Sequence, residues 1–251
     1  MPDIMSVVVS ALRADQSRLE QSSLNAVNAS TPGYRRSSIV SLAFEREMTA
    51  HAVTASGSIE GSPTWAPTPA ALQKITDFSQ GSLQKTGRTL DVAIEGKGFL
   101  SLTDGTHTWL TRTAALQIDA HGDLVGPNGL RVVGADGDIR PGGAQDLTIN
   151  ASGQLMRNEQ ILGRIKVVAP TDEAQLSSDD GVLFQVSADH VHDASSDESV
   201  IRSGFLEASN TSSLKEMMTV MESVRHFESL IRIAQGYDDV MGKAIQKLGE
   251  V

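Results

Sequence analysis

Residues 213–251 read SLKEMMTVMESVRHFESLIRIAQGYDDVMGKAIQKLGEV, a stretch that lacks proline and repeats apolar residues every three or four positions. This spacing predicts an amphipathic helix, and Ser213 followed by Glu216 matches the capping box that opens one. One heptad register has its a positions at Val220, Phe227, Ala234, Met241 and Leu248, and its d positions at Met217, Val224, Ile231, Asp238 and Ile245. Because only Asp238 interrupts this seam, the sequence predicts a helix that packs against another helix as in a coiled coil.

Residues 3–29 predict a second helix near the other end of the chain. The stretch contains neither proline nor glycine, and one of its faces carries Met5, Val8, Leu12, Leu19 and Ala26. Pro32 disfavours the helical conformation in the residue before it, so this helix is expected to end before Ser30. Because these two helices with apolar seams lie at opposite ends of the chain, we expect the seams to pack against each other or against a neighbouring subunit. This arrangement favours an assembly protein over an enzyme.

The residues between the two helices are typical of β-structure. Of the 22 glycines, 14 lie between Gly81 and Gly163, where they are interleaved with short apolar runs. Such a pattern predicts short strands joined by tight turns in an antiparallel sheet. Residues 54–71 are rich in Ser, Gly, Pro and Thr and are interpreted as a linker or long loop, whereas residues 35–49 fit either a strand or a helix.

The predicted fold is therefore α+β, mainly β with two terminal helices. The helices are expected to pair as an axial, coiled-coil-like domain, with a glycine-rich antiparallel β domain between them. The predicted divisions are residues 1–34 for the first axial helix and its turn, 35–74 for an extended variable linker, 75–209 for the β-rich domain, and 210–251 for the last axial helix.

Composition excludes several classes of function. The chain of 251 residues has a formal net charge of -10 and no dense block of Lys or Arg, which argues against a nucleic-acid partner. It contains no cysteine, so disulfides and thiolate metal sites are excluded. The sequence also predicts neither a cleaved secretion signal, which needs a basic region before a continuous apolar stretch, nor a membrane-inserted segment.

Catalytic and ligand-binding motifs are not found in this sequence. Gly96-Lys97-Gly98 resembles the start of a dinucleotide loop, but the following residues read as a strand rather than a helix. His190 and His192 could share a metal ion, yet no third ligand has convincing spacing, so a solvated loop is the better interpretation. We therefore expect no catalytic residues, no cofactor, no bound metal and no small-molecule substrate.

Four segments resemble bacterial flagellar axial proteins, the family of rod, hook and hook-associated subunits; one of them, within residues 111–125, is similar to a strand pair of rod proteins. Residues 25–34, NAVNASTPGY, are similar to an N-terminal family signature that ends in T-P-G-[FY], from which Leu24 and Ala26 depart. Residues 81–99, GSLQKTGRTLDVAIEGKGF, match the specific pattern G-x-L-x-x-T-x-x-x-L-D-V-A-I-x-G-x-G-F. Residues 204–210, GFLEASN, match the family's G-x-L-E-x-S-N before the last helix. The resemblance thus reaches both ends and the middle of the chain.

The resemblance implies a structural subunit of the flagellar basal-body rod, which polymerises through its terminal helices into the shaft that transmits motor torque to the hook. Residues 225–228, RHFE, are similar to the R-x-F-E of the proximal rod type and favour it over the distal type. The implied partners are other proximal and distal rod subunits and the flagellar type III export apparatus. The implied location is the rod in the periplasm, reached without a cleaved signal. Two alternatives stay open: a distal rod protein, and a closed β-rich binding module with a helical hairpin.

The residues expected to carry assembly lie on the two helical seams and in the turn after the first helix. Asn25, Asn28, Pro32 and Gly33 are expected to set the direction in which the chain leaves that helix. The side chains expected at the contacts between subunits are Leu12, Leu19, Met217, Val224, Phe227, Ile231, Met241 and Leu248.

Overall fold

A computed structural model describes residues 4–41, 72–143, 146–178, 180–186, 190–195 and 199–249. The expected α+β class, mainly β with a helix near each end, is confirmed. Helix α1 spans Ile4–Val27 and continues into a 3-10 turn at Asn28–Ser30, and helix α2 spans Ser213–Gly249. The predicted linker of residues 54–71 lies outside the described residues.

Short strands follow one another between the two helices. β1 (Ser37–Ser41) pairs with β2 (Leu72–Thr76), so the first part of the ambiguous segment 35–49 is a strand, while residues 42–49 lie outside the described residues. The next strands are β3 (Leu83–Lys85), β4 (Asp91–Gly96), β5 (Phe99–Thr103), β6 (Thr108–Thr111), β7 (Thr113–Ala115), β8 (Gln117–Ile118), β9 (Leu124–Val125), β10 (Arg131–Gly134) and β11 (Gly137–Asp138). The last are β12 (Leu147–Ile149), β13 (Gln154–Arg157), β14 (Gln160–Arg164), β15 (Val167–Pro170), β16 (Phe184–Gln185), β17 (Val191–Asp193), β18 (Ser199–Ser203) and β19 (Phe205–Glu207).

The chain divides into two compact units. Unit 1 consists of residues 1–26, 37–75 and 213–251, and unit 2 consists of residues 27–36 and 76–212. Unit 2 holds the largest sheet, in which the strand order is β16-β6-β5-β10-β9-β8, with β11 paired to β10 and with β15 and β17 attached through β5. The strand pairs of this sheet are antiparallel, as the glycine turns predict.

The apolar core lies in unit 2. Its larger cluster includes Ile94, Leu100, Leu102 and Leu155, all of them fully buried. A second cluster is aromatic, and the ring centroids of Phe78, Phe99 and Phe184 lie 5.2–6.2 Å apart. Buried aromatic rings at these distances stabilise a core beyond the area that they bury. Unit 2 therefore has a core of its own.

A buried group of charged side chains joins the two chain segments of unit 2, residues 27–36 and residues 76–212. Nη2 of Arg35 lies 2.7 Å from Oε1 of Glu207, and both side chains are fully buried. The backbone N–H of Gly81 donates to the same carboxylate oxygen at 2.7 Å, and Arg112 lies 3.5 Å from the other oxygen. Burial lowers the pKa of Arg112, while the Glu207 carboxylate acts in the opposite direction. Removing one member would leave a buried charge without compensation, so this group ties Arg35 to β19.

Candidate assembly surface on the terminal helices

Helices α1 and α2 contact each other through polar side chains in unit 1. Nδ2 of Asn25 donates to Oε2 of Glu216 at 3.2 Å. Nδ1 of His226 donates to Oδ2 of Asp15 at 2.5 Å. The two pairs are ten residues apart on each helix, and the numbers fall on α1 as they rise on α2. The helices are therefore antiparallel, and these two contacts define their register.

The face of α2 turned away from solvent follows a heptad spacing. Its buried or partly buried members are Glu216, Val220, Ser223, Phe227, Leu230, Ala234 and Tyr237. The predicted a positions Val220, Phe227 and Ala234 belong to this face. The predicted d positions Met217 and Val224 do not, because each lies one residue beyond the buried position, and Glu216 and Ser223 are buried in their place. Sequence reasoning missed these two polar residues because an apolar repeat was taken as the mark of the inner face.

The contacting part of α1 is also polar. Asp15, Gln21, Ser22 and Asn25 are buried, whereas Leu12 and Leu19 are only partly buried. Buried polar side chains are normally satisfied by hydrogen bonds, and here they find partners across the helix pair or on the same helix. The helix pair thus buries polar side chains and leaves many apolar ones outside.

An exposed apolar stripe runs along the first part of α2. It is formed by Leu214, Met217, Met218, Met221 and Val224, whose exposed fractions lie between 40% and 65%. These positions recur at helical spacing, so they share one side of the helix next to the buried face. A continuous apolar stripe on a helix surface is a feature of sites that bind another protein surface.

A second exposed apolar region lies on the last part of α2. The antiparallel register places Ile4, the first residue of α1, opposite Tyr237. Val240, Met241 and Ile245 lie beyond that point and are 45–66% exposed. Ile231 is partly buried, and the side chain of Leu248 lies outside the described residues. Met241 continues the inner face of α2 past the first described residue of α1, whereas Ile245 continues the line of Met217 and Val224.

The side chain of Asn25 lies between two segments of unit 1: the end of α1, where the chain leaves the unit, and the start of β1, where it returns. Its amide group donates to the backbone oxygen of Ser37 at 2.8 Å, and its oxygen accepts from the N–H of Ser37 at 3.2 Å. Asn25 therefore joins the end of α1 to the start of β1. It is buried in the chain and contributes no exposed surface.

The turn after α1 is held by short-range contacts within unit 2. Oδ1 of Asn28 accepts a hydrogen bond from the hydroxyl of Thr31 at 3.0 Å, and Pro32 is exposed. Gly33 has φ of +75°, and a Cβ atom there would lie 2.7 Å from Cγ2 of Thr113. Its N–H donates to the backbone oxygen of Glu207 at 2.7 Å. Glycine is required here both by the left-handed backbone and by the close approach of Thr113.

Two negative findings concern the described residues. They contain no cluster of three or more His, Asp or Glu side chains arranged to hold a metal ion. They also contain no helix long and apolar enough to cross a membrane.

Sequence comparison defines the family of this chain. Residues 93–157 match the flagellar hook protein FlgE/F/G D1 domain, and residues 202–247 match the flagellar basal body rod FlgEFG protein C-terminal domain. The chain is 30% identical to the flagellar basal-body rod protein FlgF of Escherichia coli, over 96% of this chain and 97% of the relative. It is 29% identical to FlgF of Salmonella typhimurium over the same shares. It is 32% identical to the flagellar basal-body rod protein FlgG of Borreliella burgdorferi, over 70% of each chain.

The chain therefore belongs to the family of flagellar basal-body rod proteins.

Proposed function

We propose that this chain is a structural subunit of the flagellar basal-body rod that polymerises through α1 and α2 and transmits motor torque to the hook. The observation that carries the proposal is the exposed apolar stripe of α2, formed by Leu214, Met217, Met218, Met221 and Val224. The described residues of a single copy leave this stripe exposed. In a rod, neighbouring helices would cover it together with the apolar end of α2 around Met241.

Burial of the stripe would contribute favourably to assembly. A fully buried Leu, Val or Met side chain contributes about 1.5–3 kcal/mol relative to an exposed one. The stripe residues are half exposed in the single chain, so each would gain about 1 kcal/mol on burial by this scale. Five such residues on every copy, repeated along a polymer, oppose the entropy cost of ordering each subunit.

The helix pair becomes a coiled-coil-like axial domain in this proposal. The polar contacts Asp15–His226 and Asn25–Glu216 keep α1 and α2 in register, and the buried members Asp15, Asn25 and Glu216 act as buried polar positions do in coiled coils. The apolar side chains left outside then face the helices of other copies. Asn25, Asn28, Pro32 and Gly33 hold the turn through which the chain leaves α1.

The proximal rod is the proposed position of the chain. Residues 225–228, RHFE, favour the proximal type, and the FlgF relatives from two enterobacteria span nearly the whole chain. A distal rod protein is the alternative, since FlgG relatives also match. The proposed partners are other proximal and distal rod subunits and the flagellar type III export apparatus. The proposed location is the basal-body rod in the periplasm, after export without a cleaved signal.

The test replaces Val224 by Asp in the full chain, expressed in the source bacterium after deletion of its own copy. An aspartate in the stripe would place an unpaired charge in the contact between subunits. We expect the amount of the chain in isolated basal bodies, and with it swimming motility, to fall at least tenfold. Ser229→Asp is the matched control, because it adds the same charge to an exposed position that lies beyond the end of the stripe and about 140° around α2 from Val224. Equal incorporation of Val224→Asp and Ser229→Asp would show that the stripe is not an assembly contact.

A further inference from the structure

The hairpin of β13 and β14 carries an exposed apolar pair, Ile161 and Leu162, which we name the hairpin knob. Ile161 is 59% exposed and Leu162 is 37% exposed. All other large apolar side chains that the described residues leave exposed lie in α1, α2 or β2. Leu162 has no partner on β13, because β13 pairs with Ile161 and Gly163 on either side of it, and both side chains of the knob are open to solvent.

The position of the knob follows from the local backbone. Asn158 and Glu159 both have positive φ values, 46° and 70°, which is the geometry of the tight turns that join two strands in a hairpin. A β-bulge in β14, where Leu162 is the extra residue opposite Leu155 and Met156, bends the hairpin further. Glu159 and Arg164 flank the knob, and their charges are opposite. The knob itself is therefore an uncharged apolar projection from unit 2.

Unit 2 also has an apolar groove, which we define by Pro32, Val125, Pro127, Val182 and Leu206. Its volume is 530 Å³, and Gln117 and Asn128 lie at its sides. No ionisable residue lines this groove. Four other cavities of unit 2 each have at least one His, Asp, Lys or Arg side chain in their lining. The groove therefore suits an uncharged apolar occupant.

We propose that the hairpin knob of one copy binds in the apolar groove of the next copy, as a second contact between subunits. This inference rests on the proposed rod function, because only a polymer repeats such a contact. A helical polymer of one chain needs a head-to-tail interface, in which two different surfaces of the same molecule meet. The described residues of unit 2 include such a pair of surfaces, an apolar projection and an apolar concavity of matching character.

Charge supports a second copy as the occupant. Each chain has a formal net charge of -10, so like charges placed at the contact would add to the overall repulsion between two copies. An uncharged knob in a groove without ionisable residues avoids that repulsion at the contact. The exposed fractions of Ile161 and Leu162 also show that the knob does not fill the groove of its own chain.

The absence of cysteine from the chain makes engineered disulfides a clean test. Ile161→Cys and Gln117→Cys chains are expressed together in the source bacterium without its own copy, and isolated basal bodies are oxidised. We expect a disulfide-linked dimer that contains one chain of each kind, and no dimer from either variant alone. Thr106→Cys, an exposed position outside the groove, replaces Gln117→Cys as the matched control and should give no dimer with Ile161→Cys.

The outcomes separate this inference from the rod function. If both variants enter basal bodies and no mixed dimer forms, or if Ile161→Cys links to itself, the knob does not bind the groove and the rod function stands. If the unsubstituted chain is not found in basal bodies at all, the rod function fails and this contact fails with it.

A substitution pair gives an independent measurement. Ile161→Asp should reduce incorporation at least tenfold, and the neighbouring Gln160→Asp should not; equal incorporation would overturn the inference.

Discussion

At the scale of single residues, Gly33 combines two separate constraints in the turn after α1. Its φ of +75° disfavours any residue with a Cβ atom, and that atom would also lie 2.7 Å from Cγ2 of Thr113. Thr113 is itself buried, so its methyl group has little room to move. We expect Gly33→Ala to lower the free energy of unfolding of unit 2 by about 2–4 kcal/mol, the sum of left-handed strain and overpacking. Urea denaturation followed by intrinsic fluorescence measures this change.

Gly87 provides the matched control for that substitution. Its φ is +77°, almost the same as that of Gly33, but no atom lies within 4 Å of the position of a Cβ. Gly87→Ala should therefore cost only the backbone term, about 1–2 kcal/mol. Equal losses for the two variants would show that the approach of Thr113 contributes nothing, and that the turn needs glycine for its backbone alone.

At the scale of elements, the pairing of α1 with α2 shows what the apolar pattern of a helix leaves undetermined. The pattern predicted both helices, the first residue of α2 and half of its inner face. It did not predict that Glu216 and Ser223 occupy the other half. Which face turns inward depends on the partner, and the partner here presents Asp15, Ser22 and Asn25. That information is long-range, because Asn25 and Glu216 are 191 residues apart in the chain.

The contact between Asp15 and His226 should contribute measurably to the stability of the helix pair. Asp15 also binds Nη1 of Arg18 at 3.2 Å, so single substitutions of Asp15 remove two contacts. A double-mutant cycle with Asp15→Ala and His226→Ala isolates the contact between helices, and we expect a coupling energy of about 1 kcal/mol. Thermal unfolding followed by far-UV circular dichroism of the full chain measures it. The same cycle with Arg225→Ala, at the adjacent exposed position, should be additive within about 0.5 kcal/mol; equal coupling in both cycles would contradict the assigned pair.

At the scale of the whole molecule, the sequence predicted the order of the elements better than their grouping. Glycine turns predicted the strands from β4 to β10, because turn chemistry is local. The buried contact of Arg35 with Glu207 was missed, since its two residues lie 172 positions apart and nothing near either one indicates the other. That contact also explains why residues 27–36 group with unit 2, although they directly follow α1. A local sequence pattern does not indicate which distant segment of the chain will contact it.

The two units should differ strongly in stability in the single chain. Among the described residues of unit 1, Val8 and Ala14 are the apolar side chains that are buried, whereas both apolar clusters lie in unit 2. Segments with few buried apolar contacts open more often and exchange their amide hydrogens faster. Amide hydrogen exchange of the soluble full-length chain should therefore be fast in α1 and α2 and slow in β4 and β5, which serve as the internal reference. In isolated basal bodies the amides of α1 and α2 should become protected by at least tenfold, because the stripe around Met218 is then covered. Protection of both helices in the single chain as strong as that of β4 would instead indicate a closed helical hairpin, and the alternative of a self-contained binding module would replace the polymerising subunit.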